Sequence, residues 1–252
     1  MPPIKFIDFH CHLEHRQFEK GIHRLVERMK DKNVFALNTG SNLAANKKTL
    51  EQCAAYPQRL WAAIGLSPHD AATANLEQEL EFISANAHKA IAIGEIGLDH
   101  FYFKTPDEHR AQDKAFVAQL ELAEKLRKPV VVHSRDAEEQ VIETLASFKT
   151  PGVLHFFLKP KLLQKALDAG LYLSIPTLKS KEQKKIFRDA PLERIFLETD
   201  SPYGLNTGER NEPSNVTTSY ERLAEIKKMP LNEVALKISD NFKKITGKKP
   251  KG

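Results

Sequence analysis

Short apolar runs alternate with longer amphipathic stretches along the whole chain. The runs fall at residues 4–9, 34–37, 60–64, 90–93, 129–132, 153–154, 171–175 and 195–197, each short enough for a strand buried on both faces. Between them lie helix-length segments at 22–30, 43–56, 76–86, 108–126, 137–148, 160–169 and 181–189, and two more follow the eighth run. In the fourth of these, Phe116, Leu120, Ala123 and Leu126 recur at three- and four-residue steps while Glu121, Glu124 and Lys125 occupy the other face, the stripe of a helix lying on a core. Strict alternation of strand and helix predicts a parallel sheet. Eight units predict an α/β protein of the (β/α)₈ TIM-barrel type, with a doubly wound open sheet as the competitor.

Boundary residues support the same elements. Gly170 follows the sixth helical segment, and Thr105-Pro106-Asp107-Glu108 has a cap residue ahead of a first-turn proline, the expected C- and N-terminal punctuation. No compositional shift, repeat or linker divides the 252 residues, and one barrel of this class needs about 250, so residues 1–252 are expected to form a single domain. Hydrophobic residues at 41% and charged residues at 28% suit a globular chain with a large core.

The net charge of +5 is compatible with a polyanionic partner without requiring one. Much of the excess lies in Lys243, Lys244, Lys248, Lys249 and Lys251, and the basic tail over roughly residues 247–252 reads as a solvated end. Cys11 and Cys53 are too few for a disulfide framework, and no secretory leader or membrane-length apolar run precedes the first strand. A cytoplasmic protein with no membrane contact and no obligate protein partner is expected.

Candidate chemistry begins in Asp8-Phe9-His10-Cys11-His12. Side chains two apart on an extended chain point the same way, so His10 and His12 are placed to share a metal. One histidine pair among ten histidines carries moderate weight until position is considered. His10 and His12 follow strand one, Glu95 strand four, His133 strand five, His155 strand six and Asp200 strand eight. All sit at C-terminal ends, which converge on one face of a barrel.

Histidine nitrogens with carboxylate oxygens suit divalent zinc, manganese or magnesium. Six ligands exceed the set of one catalytic ion with an open position, so two ions bridged by a carboxylate are expected. Glu95, between the histidine groups in sequence, is the best bridge. Glycines in Gly94-Glu95-Ile96-Gly97-Leu98-Asp99 let backbone pass close to the ions. Asp99 is a candidate partner for the outer nitrogen of a ligating histidine, with Asp8 a weaker one.

Four segments together resemble the TatD-related metal-dependent hydrolases and deoxyribonucleases of the amidohydrolase-like barrel superfamily: Phe6-Ile7-Asp8-Phe9-His10-Cys11-His12, Gly94 to Asp99, Val131-Val132-His133-Ser134-Arg135-Asp136-Ala137, and Leu197-Glu198-Thr199-Asp200-Ser201-Pro202-Tyr203. The resemblance spans almost the whole chain. It implies that His10, His12 and Asp200 hold one ion, that His133 and His155 hold the other, and that Glu95 contacts both. It also implies substrate contacts from Gly65-Leu66-Ser67-Pro68-His69 and Arg210-Asn211-Glu212-Pro213. The chain departs from the family pattern at Ser67, where a histidine is usual, at His100, where tyrosine is usual, and at Phe156-Phe157-Leu158-Lys159, where a small polar tail is usual.

On this basis Asp200 is the expected general base, and Glu95 acts in catalysis mainly through its charge and position. Arg210, Arg135 and His69 are expected to bind phosphate oxygens, and Tyr203 or Phe101 to stack on a base. A deoxyribonuclease hydrolysing phosphodiester bonds of DNA leads. A metal-dependent amide or ester hydrolase, including aminoacyl-tRNA deacylation, follows, and a non-catalytic nucleic-acid-binding barrel ranks last.

Overall fold

The structure, a computed structural model, describes residues 3–204 and 210–250; Lys251 of the expected basic tail lies outside them. Eight strands form one parallel sheet in sequential order: β1 Phe6–Cys11, β2 Val34–Thr39, β3 Leu60–Ile64, β4 Ala92–Asp99, β5 Val130–Arg135, β6 Gly152–Leu154, β7 Tyr172–Pro176 and β8 Ile195–Glu198. Helices α1 Ile22–Asp31, α2 Leu43–Ala55, α3 Leu76–Asn86, α4 Pro106–Leu126, α5 Glu138–Ala146, α6 Leu163–Asp168 and α7 Lys181–Asp189 separate them, and α8 Val216–Lys227 and α9 Leu231–Thr246 follow β8. The predicted (β/α)₈ barrel is therefore the observed fold.

The ring closes between β1 and β8. A parallel bridge joins Cys11 to Ser201, the His12 N–H donates to the Ser201 carbonyl at 2.7 Å, and the Asp200 N–H donates to the His10 carbonyl at 2.9 Å. Deeper in the seam a side chain completes the pairing: the buried Tyr220 hydroxyl on α8 accepts from the Ile7 N–H and donates to the Ile7 carbonyl, both at 3.0 Å. Backbone groups in the barrel interior need such partners because water does not reach them.

Two boundary expectations change. β1, β4 and β5 run past their apolar segments, so His10, Glu95 and His133 lie within strands rather than after them. Inward-facing positions at the barrel mouth exchange apolar side chains for polar ones without ending the ladder. The segment expected as one helix over 160–169 is a 3₁₀ turn at Pro160–Leu162 followed by α6. The cap of α4 is as its sequence indicates: Thr105 Oγ1 accepts the Glu108 N–H and the Glu108 carboxylate accepts the Thr105 N–H, a reciprocal capping box.

Candidate metal centre

The six side chains expected as ligands meet at the C-terminal mouth of the barrel. His10 and His12 turn their Nε2 atoms to within 3.0 Å of each other, and Asp200 Oδ1 lies 3.5 Å and 3.7 Å from them. Beneath them the buried Asp8 carboxylate accepts the Thr199 N–H at 2.8 Å and the Thr199 hydroxyl at 2.6 Å. Asp8 thus ties β1 to the segment that carries Asp200. Asp200 itself has φ 55°, a left-handed conformation that aspartate tolerates better than most residues.

Glu95 stands between the two histidine groups. Its Oε1 is 2.9 Å from His133 Nδ1 and 3.1 Å from His155 Nε2, while Oε2 is 3.6 Å from His12 Nε2. His133 Nδ1 and His155 Nε2 are 3.2 Å apart. Gly97 lets β4 and β5 approach this closely: its φ is +135°, and a Cβ there would stand 2.0 Å from the His133 carbonyl oxygen.

The outer ring nitrogens fix which way the lone pairs point. His12 Nδ1 lies 2.9 Å from the Thr39 carbonyl, which only accepts, so this nitrogen carries the proton and Nε2 presents its lone pair inward. His133 Nε2 lies 3.0 Å from Asp99 Oδ2, which leaves Nδ1 as the inward lone pair. Lone pairs and carboxylate oxygens gathered at 2.9–3.7 Å repel one another unless a cation sits among them. Donors held about 2.1 Å from a divalent ion in tetrahedral or octahedral array are spaced by about 3.0–3.4 Å, so the donor set fits metal. Three overlapping groups bring their ligand atoms within 4.8 Å of one another at the centre: His10, His12 and Glu95; His10, His155 and Asp200; and Glu95, His133 and His155.

Protons occupy the same charge trap when metal is absent. Burial disfavours a charged His12, yet Glu14, Glu95 and Asp200 raise its pKa to about 10. Burial likewise opposes the charged form of His155, but Glu198 and Glu95 hold it well above the usual range. For Glu95, hydrogen bonds to His133 and His155 overcome burial and keep the carboxylate ionised. His10 is driven the other way by burial and by the neighbouring His155 and His12. Burial pushes Asp200 up to about 7, against the pull of His155 and His12.

A cleft of about 930 Å³ opens above the centre, lined by His12, Glu95, His133, His155 and Asp200 together with His69 and Arg135. Three buried amides hold its backbone in place. Asn46 exchanges both hydrogen bonds with Gly65, Gln119 does the same with Leu66, and Gln112 accepts the Asp99 N–H while donating to the Pro68 carbonyl. Arg210 is placed differently from the phosphate contact expected of it. It donates to the Gln17 carbonyl at 2.6 Å and lies over the Phe18 ring, outside the cleft lining. Its neighbours Asn211 and Glu212 are structural, tying down Thr199, Tyr203 and Arg28.

The departures at Ser67 and at Phe156 to Lys159 line the cleft, whereas His100 stacks on His109 of α4, away from it. Phe156, at φ 50°, is held in that strained conformation by its N–H donating to Glu198 Oε1 at 2.6 Å. Glu198 has a role that the sequence pattern does not assign. The fully buried carboxylate lies 3.4 Å from His155 Nδ1, and its place two residues before Asp200 on an apolar strand was the available signal. Glu14, 3.3 Å from His12 Nδ1, carried no such signal.

The family model described as TatD related DNase matches residues 7–247. The chain is 32% identical over 240 residues to an uncharacterized metal-dependent hydrolase of Methanocaldococcus jannaschii, covering 93% of this chain and 94% of that one. It is 33% identical over 236 residues to the 3'-5' ssDNA/RNA exonuclease TatD of Salmonella typhimurium, covering 86% and 89%. The crystal structure of a TatD homolog from Escherichia coli K12 superposes with a TM-score of 0.87 at 25% identity, covering 96% of this chain and 98% of that one. With a family model matched from the first strand to the last helix, the chain belongs to the TatD related DNase family.

Proposed function

We propose that this chain is a metal-dependent nuclease that hydrolyses phosphodiester bonds of DNA, and that residues 1–252 work as one barrel unit holding two divalent ions. The observation that carries the proposal is the Glu95 carboxylate, one oxygen turned to His133 and His155 and the other toward His12. A single carboxylate addressing two donor groups would suit a pair of ions held side by side, with Glu95 contacting both. His10, His12 and Asp200 would hold one ion and His133 and His155 the other, drawn from zinc, manganese or magnesium. When bound, such ions supply Lewis acidity and a water of lowered pKa.

The chain's own residues supply the rest. Asp200, at the cleft wall beside His10 and His12, would take a proton from the attacking water. His69 and Arg135 present donors to the non-bridging phosphate oxygens from the cleft side. Among the described residues no helix is long and apolar enough to cross a membrane. A cytoplasmic setting belongs to the same proposal, supported by two cysteines that remain unpaired.

The test is digestion of end-labelled single-stranded DNA with manganese by wild type and by Glu95→Ala. Cleavage by wild type alone supports the proposal. Equal cleavage by both, or by neither, sinks it. The apolar wall of Phe156, Phe157 and Leu158 along the cleft favours a second reading, an amide or ester hydrolase. A panel of phosphodiesters, esters and cyclic amides separates the two by which bond is cut.

A further inference from the structure

Among the described residues five large apolar side chains are exposed: Phe101, Tyr102, Val117, Tyr203 and Leu236. Three of the five, Phe101, Tyr102 and Tyr203, are aromatic and line the one cleft that holds the histidine–carboxylate centre. Exposed aromatic surface gathered at a cleft marks a binding site more often than chance exposure does. Tyr203 stands beside His12 and His15, with centroids 6.1 Å and 5.6 Å away. Phe101 and Tyr102 belong to the other histidine group, where Tyr102 is 6.0 Å from His69 and His69 is 5.3 Å from His133.

The Phe101–Tyr102 turn is built to hold its shape. The two rings meet edge to face at 4.9 Å, and the Arg135 guanidinium packs 4.0 Å from one ring centre and 4.6 Å from the other. Below them one carboxylate ties the turn to the centre. Asp99 Oδ1 accepts the N–H groups of Phe101 and Tyr102 at 3.0 Å and 2.8 Å, while Oδ2 faces His133 Nε2 at 3.0 Å and His69 Nε2 at 3.5 Å. The aromatic faces are therefore fixed in position relative to His133, yet Tyr102 remains 60% exposed.

We infer that Phe101, Tyr102 and Arg135 form a nucleobase platform, which receives the unstacked base of a nucleotide whose phosphodiester lies at the adjacent centre. The inference rests on the nuclease reading and goes beyond it by naming the groups that select for strand form. A base inside a duplex has both faces covered by its neighbours, whereas a base at a single-stranded end offers a free π-face to an aromatic side chain. Arg135 adds its planar cation to the same surface. The platform thus makes a free base face a condition of tight binding.

The experiment compares two short single strands, identical except that the nucleotide next to the scissile bond carries its base in one and is abasic in the other. Wild type, Phe101→Ala/Tyr102→Ala and, as a remote exposed control, Leu236→Ala are assayed for KM and kcat, with melting curves to confirm folding. Wild type is expected to favour the base-bearing strand by about 5- to 150-fold in KM, the range of base–aromatic stacking of about 1–3 kcal/mol. The double variant should lose that preference, its KM for the base-bearing strand rising to meet its KM for the abasic one. A preference that survives in the double variant, or an equal loss on both strands, overturns the platform and leaves the nuclease reading standing. Failure of wild type to cut either strand removes both.

Discussion

Replacing Asp99 by asparagine should weaken metal binding without unfolding the barrel. The buried carboxylate receives two backbone N–H groups on Oδ1 and the His133 Nε2 proton on Oδ2. Hydrogen bonds from His133 and Tyr102 outweigh its burial and keep its pKa below the usual aspartate range. Asparagine has the same shape, and its oxygen is able to keep the two backbone bonds. Its amide NH₂ then faces His133 Nε2, where a donor already stands. The imidazole relieves that clash by moving its proton to Nδ1, the nitrogen directed at Glu95 and His155, and the inward lone pair is lost. Loss of an outer partner of this kind costs about 10- to 100-fold in metal affinity, equivalent to about 1.4–2.7 kcal/mol. Titration calorimetry with manganese on wild type and Asp99→Asn should show one ion weakened by that factor and the other nearly unchanged, with cleavage recovering as metal is raised. An unchanged affinity in a folded variant would refute the tautomer argument.

Tyr220→Phe removes the hydroxyl that serves both backbone groups of Ile7. Each buried group left alone costs about 1–3 kcal/mol, so with two of them, at about 2–4 °C per kcal/mol, the melting temperature should fall by about 4–24 °C; a change smaller than about 2 °C would mean that water or another strand takes the place of the hydroxyl. The centre should also bind metal more tightly as pH rises. His12 has its folded pKa raised to about 10 and Asp200 to about 7, both above their unfolded values, so in the metal-free protein these groups hold protons that stabilise the fold at low pH. That stabilisation is lost as pH climbs through about 4–7 for Asp200 and about 7–10 for His12. Metal must expel the same protons, so calorimetry in buffers of differing ionisation enthalpy should record proton release near neutrality, and an affinity independent of pH would contradict the charge balance.

Much of the candidate centre is legible because a barrel brings the C-terminal halves of its strands to one face. His10, Glu95 and His133 lie within strands that run on past their apolar segments, His155 and Asp200 lie just beyond β6 and β8, and the spacing of His10 and His12 follows from the strand repeat. What stayed hidden depends on contacts between distant segments. Gln112 and Gln119 read as ordinary polar positions on α4, yet they are buried and clamp the backbone beside His69. Asn46 does the same from α2. Arg210 shows the same limit, since its place in a loop near the site suggests a phosphate contact, whereas its guanidinium here rests on the Gln17 carbonyl and the Phe18 ring. No periodicity encodes which carbonyl a long side chain will find.

The seam between β1 and β8 sets an order of events during synthesis. His10 and His12 emerge from the ribosome early, yet the contact that aligns their strand with the Asp200 segment, from the Thr199 N–H to Asp8, spans 191 positions. A chain still being translated therefore carries histidines without the carboxylate that completes their site, and β1 has an open edge with no tyrosine yet available to cover Ile7. On the proposed function, the centre would be complete only after the eighth strand arrives, and a partly made chain would not yet hold it.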